Sequence, residues 1–281
     1  MEPAIDAMPA AHVHEWEAMK TIFRLHIVGT DAATARDAAR DCFERLEYLE
    51  TKLSRFVEGG DIWRLNRMQA GDVLHISDPC HRCLLMAFDG YEKTGGLFDV
   101  TLGRAITHIK DEVPGKPTVK SGRLHVDPEH ATVVCKAAGL EIDFGGIGKG
   151  FALDELKTTL VEWEVPGALL CAGASSLLAY GPNAWPVQLA AEKNRLRLDL
   201  HNAALSASGS GQQGEHIVHP ADFGPAERPR AWALAATAAR AEIWSTAAML
   251  MTAEDLQYLA PKEPELTAIY AETAGAVERV F

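Results

Sequence analysis

The order of the secondary-structure signals constrains this chain most. Residues 20–29, KTIFRLHIVG, alternate polar and apolar positions with β-branched and aromatic members, which predicts a strand. Residues 32–54 carry Ala39, Cys42, Phe43, Leu46, Leu49 and Leu53 at helical spacing, with Asp31 placed to cap the helix. A second amphipathic helix is predicted within 77–94, ended by Gly95-Gly96, because glycine accepts the left-handed turn after a helix. Residues 122–136 read as two strands around a turn at Asp127-Pro128, and 148–163 as a helix entered through glycines. An apolar strand follows at 167–180, then two short strands in Trp185–Leu198. The Ala-rich stretch 231–240 fits strand or helix, 242–252 and 254–260 read as helical, and Leu266–Ala271 and Val277–Phe281 as strands. Strands therefore run from end to end among about four helices without regular β-α alternation. That order predicts an α+β fold with mixed or antiparallel sheets rather than a doubly wound one. No repeat and no long Gly/Pro linker interrupts it, so the expectation is a loose tail over residues 1–14 and a single domain over 15–281.

Composition narrows the function classes. The 281 residues are 47% hydrophobic and 23% charged, which suits a folded core and argues against disorder. A net charge of −12 repels phosphate backbones, so no nucleic-acid partner is expected. No apolar run approaches the ~18–20 residues that span a bilayer. The N-terminus has neither a basic segment nor an apolar one of the secretory kind, and the cysteine count of five is odd, so the expected location is cytoplasmic with reduced thiols. Cys80-His81-Arg82-Cys83 is a lone CxxC pair followed by a helix-like run. Buried thiols are the main expectation there, with a redox dithiol or a weak metal site as alternatives.

Four clusters could carry chemistry. Asp143-Phe144-Gly145-Gly146-Ile147-Gly148-Lys149-Gly150 lies between a strand end and a helix start. Glycines there let the backbone approach a ligand, a helix N-terminus favours an anion, and Lys149 adds a positive charge. Asp154, farther into that helix, could accept a hydrogen bond from a base or ribose. Thr94-Gly95-Gly96-Leu97-Phe98-Asp99 places an aromatic ring beside a carboxylate, suited to a flat heterocycle. Glu215-His216-Ile217-Val218-His219 sets two histidines three apart, on opposite faces of a strand, where one could serve as a general base. Glu242 and Thr246 are four apart, so a helix turns both oxygens to one side, as a hard cation such as Mg²⁺ prefers. Each cluster also has a plain structural explanation: a tight turn, a helix cap, surface histidines, a side-chain hydrogen bond.

Taken in order, the motifs resemble the ApbE family, the FAD:protein FMN transferases. Ala18-Met19-Lys20-Thr21 is similar to the family's A-M-G-T. Leu53-Ser54-Arg55-Phe56 with Ile62-Trp63-Arg64-Leu65-Asn66 is similar to its L-S-R-F…E-L-x-x-L-N. Thr94–Thr101 resembles T-x-G-x-F-D-P-T, and Ile142–Asp154 resembles I-D-x-G-G-I-A-K-G-Y-A-x-D. Ala207-Ser208-Gly209, His216–Pro220 and Ala241–Thr246 resemble A-T-S-G, H-I-I-D-P and A-D-A-L-S-T. The resemblance implies a T-fold-related domain and transfer of FMN from FAD to a Ser or Thr hydroxyl of a target flavoprotein, releasing AMP. It implies that Met19, Phe98 and Asp99 contact the flavin or adenine and that Lys149, Asp154 and Ile217 help hold the cofactor. It further implies Mg²⁺ on Gly146 (backbone carbonyl), Glu242 and Thr246, and His216 as the base for the attacking hydroxyl.

The chain departs from the family pattern at several positions. Glu242 stands for an aspartate, His219 for Asp or Asn, Lys20 for a glycine, and Gly173-Ala174-Ser175 for a G-G-D/N loop. These substitutions keep two alternatives open, an FAD pyrophosphatase and a flavin binder without transferase activity.

Overall fold

Alternation of apolar side chains on two faces of a single wide sheet organises the molecule. The structure is a computed structural model that describes residues 9–111, 113–115, 117, 121–209 and 217–281. In chain order the elements are β1 (His12–Ala18), β2 (Thr21–Val28), α1 (Ala32–Leu53), α2 (Asp61–Leu65), β3 (Val73–His75), α3 (Asp78–Lys93) and α4 (Gly103–Lys110). They continue with β4 (Arg123–Val126), β5 (Thr132–Ala137), α5 (Gly148–Glu162), β6 (Gly167–Ala172), β7 (Ser176–Tyr180), β8 (Trp185–Ala190) and β9 (Arg195–Leu200). The last are β10 (Ala203–Gly209), β11 (Arg230–Ala235), α6 (Ala238–Leu250), α7 (Ala253–Leu259), β12 (Leu266–Thr273) and β13 (Ala276–Arg279).

Eight strands form the main sheet in the order β1-β2-β6-β7-β10-β11-β12-β13, each neighbour antiparallel. A three-stranded sheet, β3-β5-β4, and the β8-β9 hairpin stand apart from it. Along β6, Ala168, Leu170 and Ala172 enter the large core beneath the helices, while Leu169 and Cys171 enter a second core. Trp185, Val187 and Leu189 of β8 complete that second core. A strand covered on both faces has no position for a polar side chain, and every residue of β6 is buried.

Helix α6 runs through the middle of the larger core. Nearly all of its residues are buried, including Trp244, Met249 and Glu242, which is what an apolar helix without a solvent stripe requires. Helix α5 meets α6 at backbone distance: a β-carbon on Gly150 would stand 2.4 Å from the Ala238 carbonyl oxygen, so only glycine fits. Helix α1 is capped by Asp31, whose carboxylate accepts from the Ala33 and Thr34 amides.

The α+β fold with antiparallel sheets matches the expectation from sequence, with several local corrections. Strand β1 begins at His12, inside the stretch expected to be tail, because it pairs along its whole length with β2. The single strand expected at 167–180 is two strands, reversed at Gly173, whose φ of +58° breaks the run. The Ala-rich segment divides between strand to Ala235 and helix from Ala238. Strands β3 and β10 and helix α4 were not expected; β3 is only three residues long. No helix among the described residues is long and apolar enough to cross a membrane. Cys80 and Cys83 lie in α3 as buried, free thiols, and burial pushes both well above the ordinary thiol range.

Candidate functional site: a cleft over the glycine-rich turn

The Asp143–Gly150 turn is fixed from below. Arg55, almost fully buried, pairs through Nε with Asp143 Oδ2 at 3.0 Å, donates to Thr107 Oγ1 at 2.8 Å and pairs with Glu141. Asn66 holds the preceding residue from both sides, donating to the Ile142 carbonyl at 2.9 Å and accepting from its amide at 2.7 Å. Asp143 then accepts from the Gly145 amide at 2.8 Å. These contacts leave Gly145, Gly146 and Lys149 lining a cleft whose other walls include Phe98, Asp99, Leu177, Leu205, Trp232 and Thr246. No side chain caps the start of α5, so its first amides are the helix end that favours an anion.

Phe98 is set over the turn by Thr94, a buried side chain that accepts from the Phe98 amide at 3.0 Å and donates to the Gly90 carbonyl at 2.7 Å. The ring lies so near Gly146 that a β-carbon there would be 3.1 Å from Phe98 Cε2, and the same β-carbon would stand 3.6 Å from Thr246 Oγ1. Asp99 lines the cleft while its Oδ1 accepts from the Thr101 amide at 2.8 Å and hydroxyl at 2.6 Å.

The polar end of the cleft is built by α6. Glu242 is 3% exposed. Its Oε1 accepts from Ser176 Oγ at 2.5 Å and lies 3.3 Å from Lys149 Nζ. Its Oε2 is buried with no hydrogen-bond partner among the described residues. One turn on, Thr246 Oγ1 is 3.3 Å from Ser208 Oγ, which also meets Ser245 Oγ at 2.9 Å. A buried carboxylate oxygen without a donor is costly, so this corner is set up to receive a cationic or hydrogen-bonding group.

Of the residues singled out from sequence, Phe98, Asp99, Gly146, Lys149, Ile217, Glu242 and Thr246 all line this one cleft. Two do not. Asp154 spends both carboxylate oxygens on the amides of Ala238 and Ala239, each at 2.9 Å, and so ties α5 to the start of α6. Met19 sits in the β1–β2 turn with φ +50°, its amide donating to Glu50 Oε1 at 2.8 Å. Thr21, after that turn, lies close to Gly173, which is not among the cleft-lining residues. His216 lies outside the described residues. His219 faces its own loop, its ring 3.3 Å from the Ala221 amide, and residues 217–219 are not in a strand.

Several cleft residues were missed from sequence. Lys110 and Arg230 add two cations to the lining. Ser206 alternates along β10 with Ser208, which the motif Ala207-Ser208-Gly209 singles out without a role, a period-two signal that puts both on the α6 face. Ser176, which stands behind the lining and reaches the cleft only through Glu242, gave no signal of its own.

Among the described residues, no three His, Cys, Asp or Glu side chains gather as a metal cluster. The oxygen groups gathered at the corner are the Glu242 carboxylate and the hydroxyls of Ser176, Ser208, Ser245 and Thr246.

The fold and cleft define an α+β protein with a cleft in which a glycine turn at the start of a helix faces a buried carboxylate. A model of the ApbE family matches residues 19–270, and the chain belongs to that family. It is similar to the FAD:protein FMN transferase of Salmonella typhimurium, with 23% identity over 292 residues covering 92% of this chain and 83% of that one. The ApbE protein of Thermotoga maritima superposes with a TM-score of 0.81 at 20% identity, covering 96% of each chain. The flavin transferase ApbE of Vibrio cholerae gives 0.82 at 16% identity, covering 95% of this chain and 96% of its own. At these identities the two solved structures establish the shared fold.

Proposed function

We propose that the protein transfers the FMN half of FAD to a Ser or Thr hydroxyl of a target protein and releases AMP. The observation that carries this is the corner where Glu242 and Lys149 meet the glycine turn at the end of a cleft lined by Phe98, Leu177, Leu205 and Trp232. Such a cleft offers apolar and aromatic surface for a ring system and charge for a pyrophosphate. Membership of the family and the likeness to the Salmonella typhimurium transferase support the same reaction.

The oxygen donors also fit Mg²⁺: the open Glu242 Oε2 is buried and unpartnered among the described residues, and Thr246, one helical turn on, stands beside Gly146. Glu242, the Thr246 hydroxyl and the Gly146 carbonyl would hold the ion, which when bound neutralises charge on the phosphates. The chain's own residues do the rest. Lys149 and the α5 N-terminus hold the pyrophosphate, and Phe98 packs the ring system against Gly146. The acceptor hydroxyl oxygen bonds to the phosphorus of the FMN half, and the bond from that phosphorus to the bridging oxygen breaks. The bridging oxygen leaves with AMP. The hydroxyl proton passes to a base, for which we propose His216, the residue before the cleft residue Ile217.

The test is incubation with FAD, Mg²⁺ and a Ser/Thr acceptor peptide, followed by mass spectrometry. AMP with a flavinylated peptide is the expected result. AMP with free FMN and no labelled peptide would make the protein an FAD hydrolase. Bound FAD without AMP would make it a flavin binder.

A further inference from the structure

We infer that Ser176 is a positioning residue for the cation-holding carboxylate, and that it works together with the longer side chain at position 242. This inference rests on the proposed role of Glu242 as an Mg²⁺ ligand.

Ser176 opens β7, and its side chain is buried on the sheet face beneath α6. Its hydroxyl donates to Glu242 Oε1 at 2.5 Å, a charge-assisted contact at the short end of the hydrogen-bond range. Lys149 Nζ approaches the same oxygen at 3.3 Å. Both groups therefore engage Oε1, and neither engages Oε2, which is buried and unpartnered. The two oxygens of one carboxylate are thus divided between a fixing role and an open role.

Geometry explains why a glutamate needs this device. A glutamate has one more rotatable bond than an aspartate, so its carboxylate can swing through a wider arc. An octahedral Mg²⁺ site tolerates little displacement of a ligand. Lys149 alone cannot set the plane of the carboxylate, because an ammonium on a flexible stem acts as a point charge. A serine on a buried strand is fixed by the sheet, and its single O–H points along one direction. Ser176 is not part of the cleft lining, so it acts on the ligand site only through Glu242.

Groups of this kind commonly change metal affinity by about 10–100-fold when removed. The test compares wild type with Ser176→Ala, Ser176→Cys and Ser176→Thr. Cysteine fills the space with a weak donor, and threonine keeps the hydroxyl. Mn²⁺ serves as the spin probe, its binding in the presence of FAD followed by electron paramagnetic resonance. FAD affinity is measured separately in EDTA, and AMP release is measured across a Mg²⁺ series. The expected result is Mn²⁺ affinity lowered about tenfold or more in the Ala and Cys variants and kept near wild type in the Thr variant. FAD affinity in EDTA should be unchanged in all four proteins, and AMP release in the Ala and Cys variants should recover at high Mg²⁺. Wild-type Mn²⁺ affinity in folded Ala or Cys variants would overturn the role of Ser176 while leaving Glu242 as a ligand. If wild type itself binds no Mn²⁺ with FAD present, the metal assignment at Glu242 fails, and the role of Ser176 fails with it.

Discussion

Two carboxylates flank α6, and they are used in opposite ways. Asp154 meets the N-terminus of the helix with both oxygens occupied by the Ala238 and Ala239 amides. Glu242, one turn farther in, has one oxygen engaged by Ser176 and Lys149 and the other buried without a partner. Both residues fall in stretches that resemble family motifs. The structure separates them by hydrogen-bond saturation: Asp154, with both acceptors filled by backbone amides, joins two helices, and Glu242 keeps one oxygen open. The same division runs along α5. Lys149 points into the cleft, while Gly150 and Asp154 face α6.

The largest expected effect breaks this comparison at its open side. Glu242→Gln should cut AMP release by about 100-fold or more, since it removes the charge proposed to hold the cation. Its melting temperature should stay within a few degrees of wild type. A Gln variant with full activity would show that the open oxygen serves no ligand.

Asp154→Asn tests the filled side. An amide presents an N–H₂ group to one of two helix-end N–H donors, so folding should weaken by about 1–3 kcal/mol. Activity per folded molecule should persist. Chemical denaturation and AMP release on the same preparations separate the two outcomes, and loss of activity at unchanged stability would move Asp154 into the site.

Lys149→Ala should lower FAD affinity about tenfold, and riboflavin affinity much less, because only FAD carries the pyrophosphate. Fluorescence titration with both ligands measures the difference. Equal losses for the two would place Lys149 against the ring system instead.

The smallest effect is in pH. Burial pushes Asp154 up to about 6, against an ordinary value of 3.8. The folded state then holds the proton more tightly than the unfolded state does. The stability that this group contributes is complete below pH ~3.8 and is lost as pH rises through about 6. Asp154→Asn, which cannot titrate, should therefore be more destabilised relative to wild type at pH 4 than at pH 7. A gap that widens toward pH 7 would show that the amide bonds, and not burial, dominate at Asp154.

What the sequence by itself determined is local. The 3.6-residue periodicity of α1, the Asp31 cap, the Gly95-Gly96 stop and the glycine turn before α5 each depend on residues within a few positions of one another. Phe98, Gly146, Lys149, Glu242 and Thr246 were legible as cleft residues because their motifs come in a recognisable order. Only the tertiary structure decided what each side chain faces. Ser176 and Glu242 are 66 residues apart, and Asp154 and Ala238 are 84 apart. Their pairings arise from the packing of α5 and α6 on β7 and β10, which no short window of sequence encodes. For the same reason Met19 and Asp154 carry family-like motifs yet stand off the cleft. A motif fixes residue types along the chain, whereas hydrogen-bond partners are set by which surfaces the core brings together.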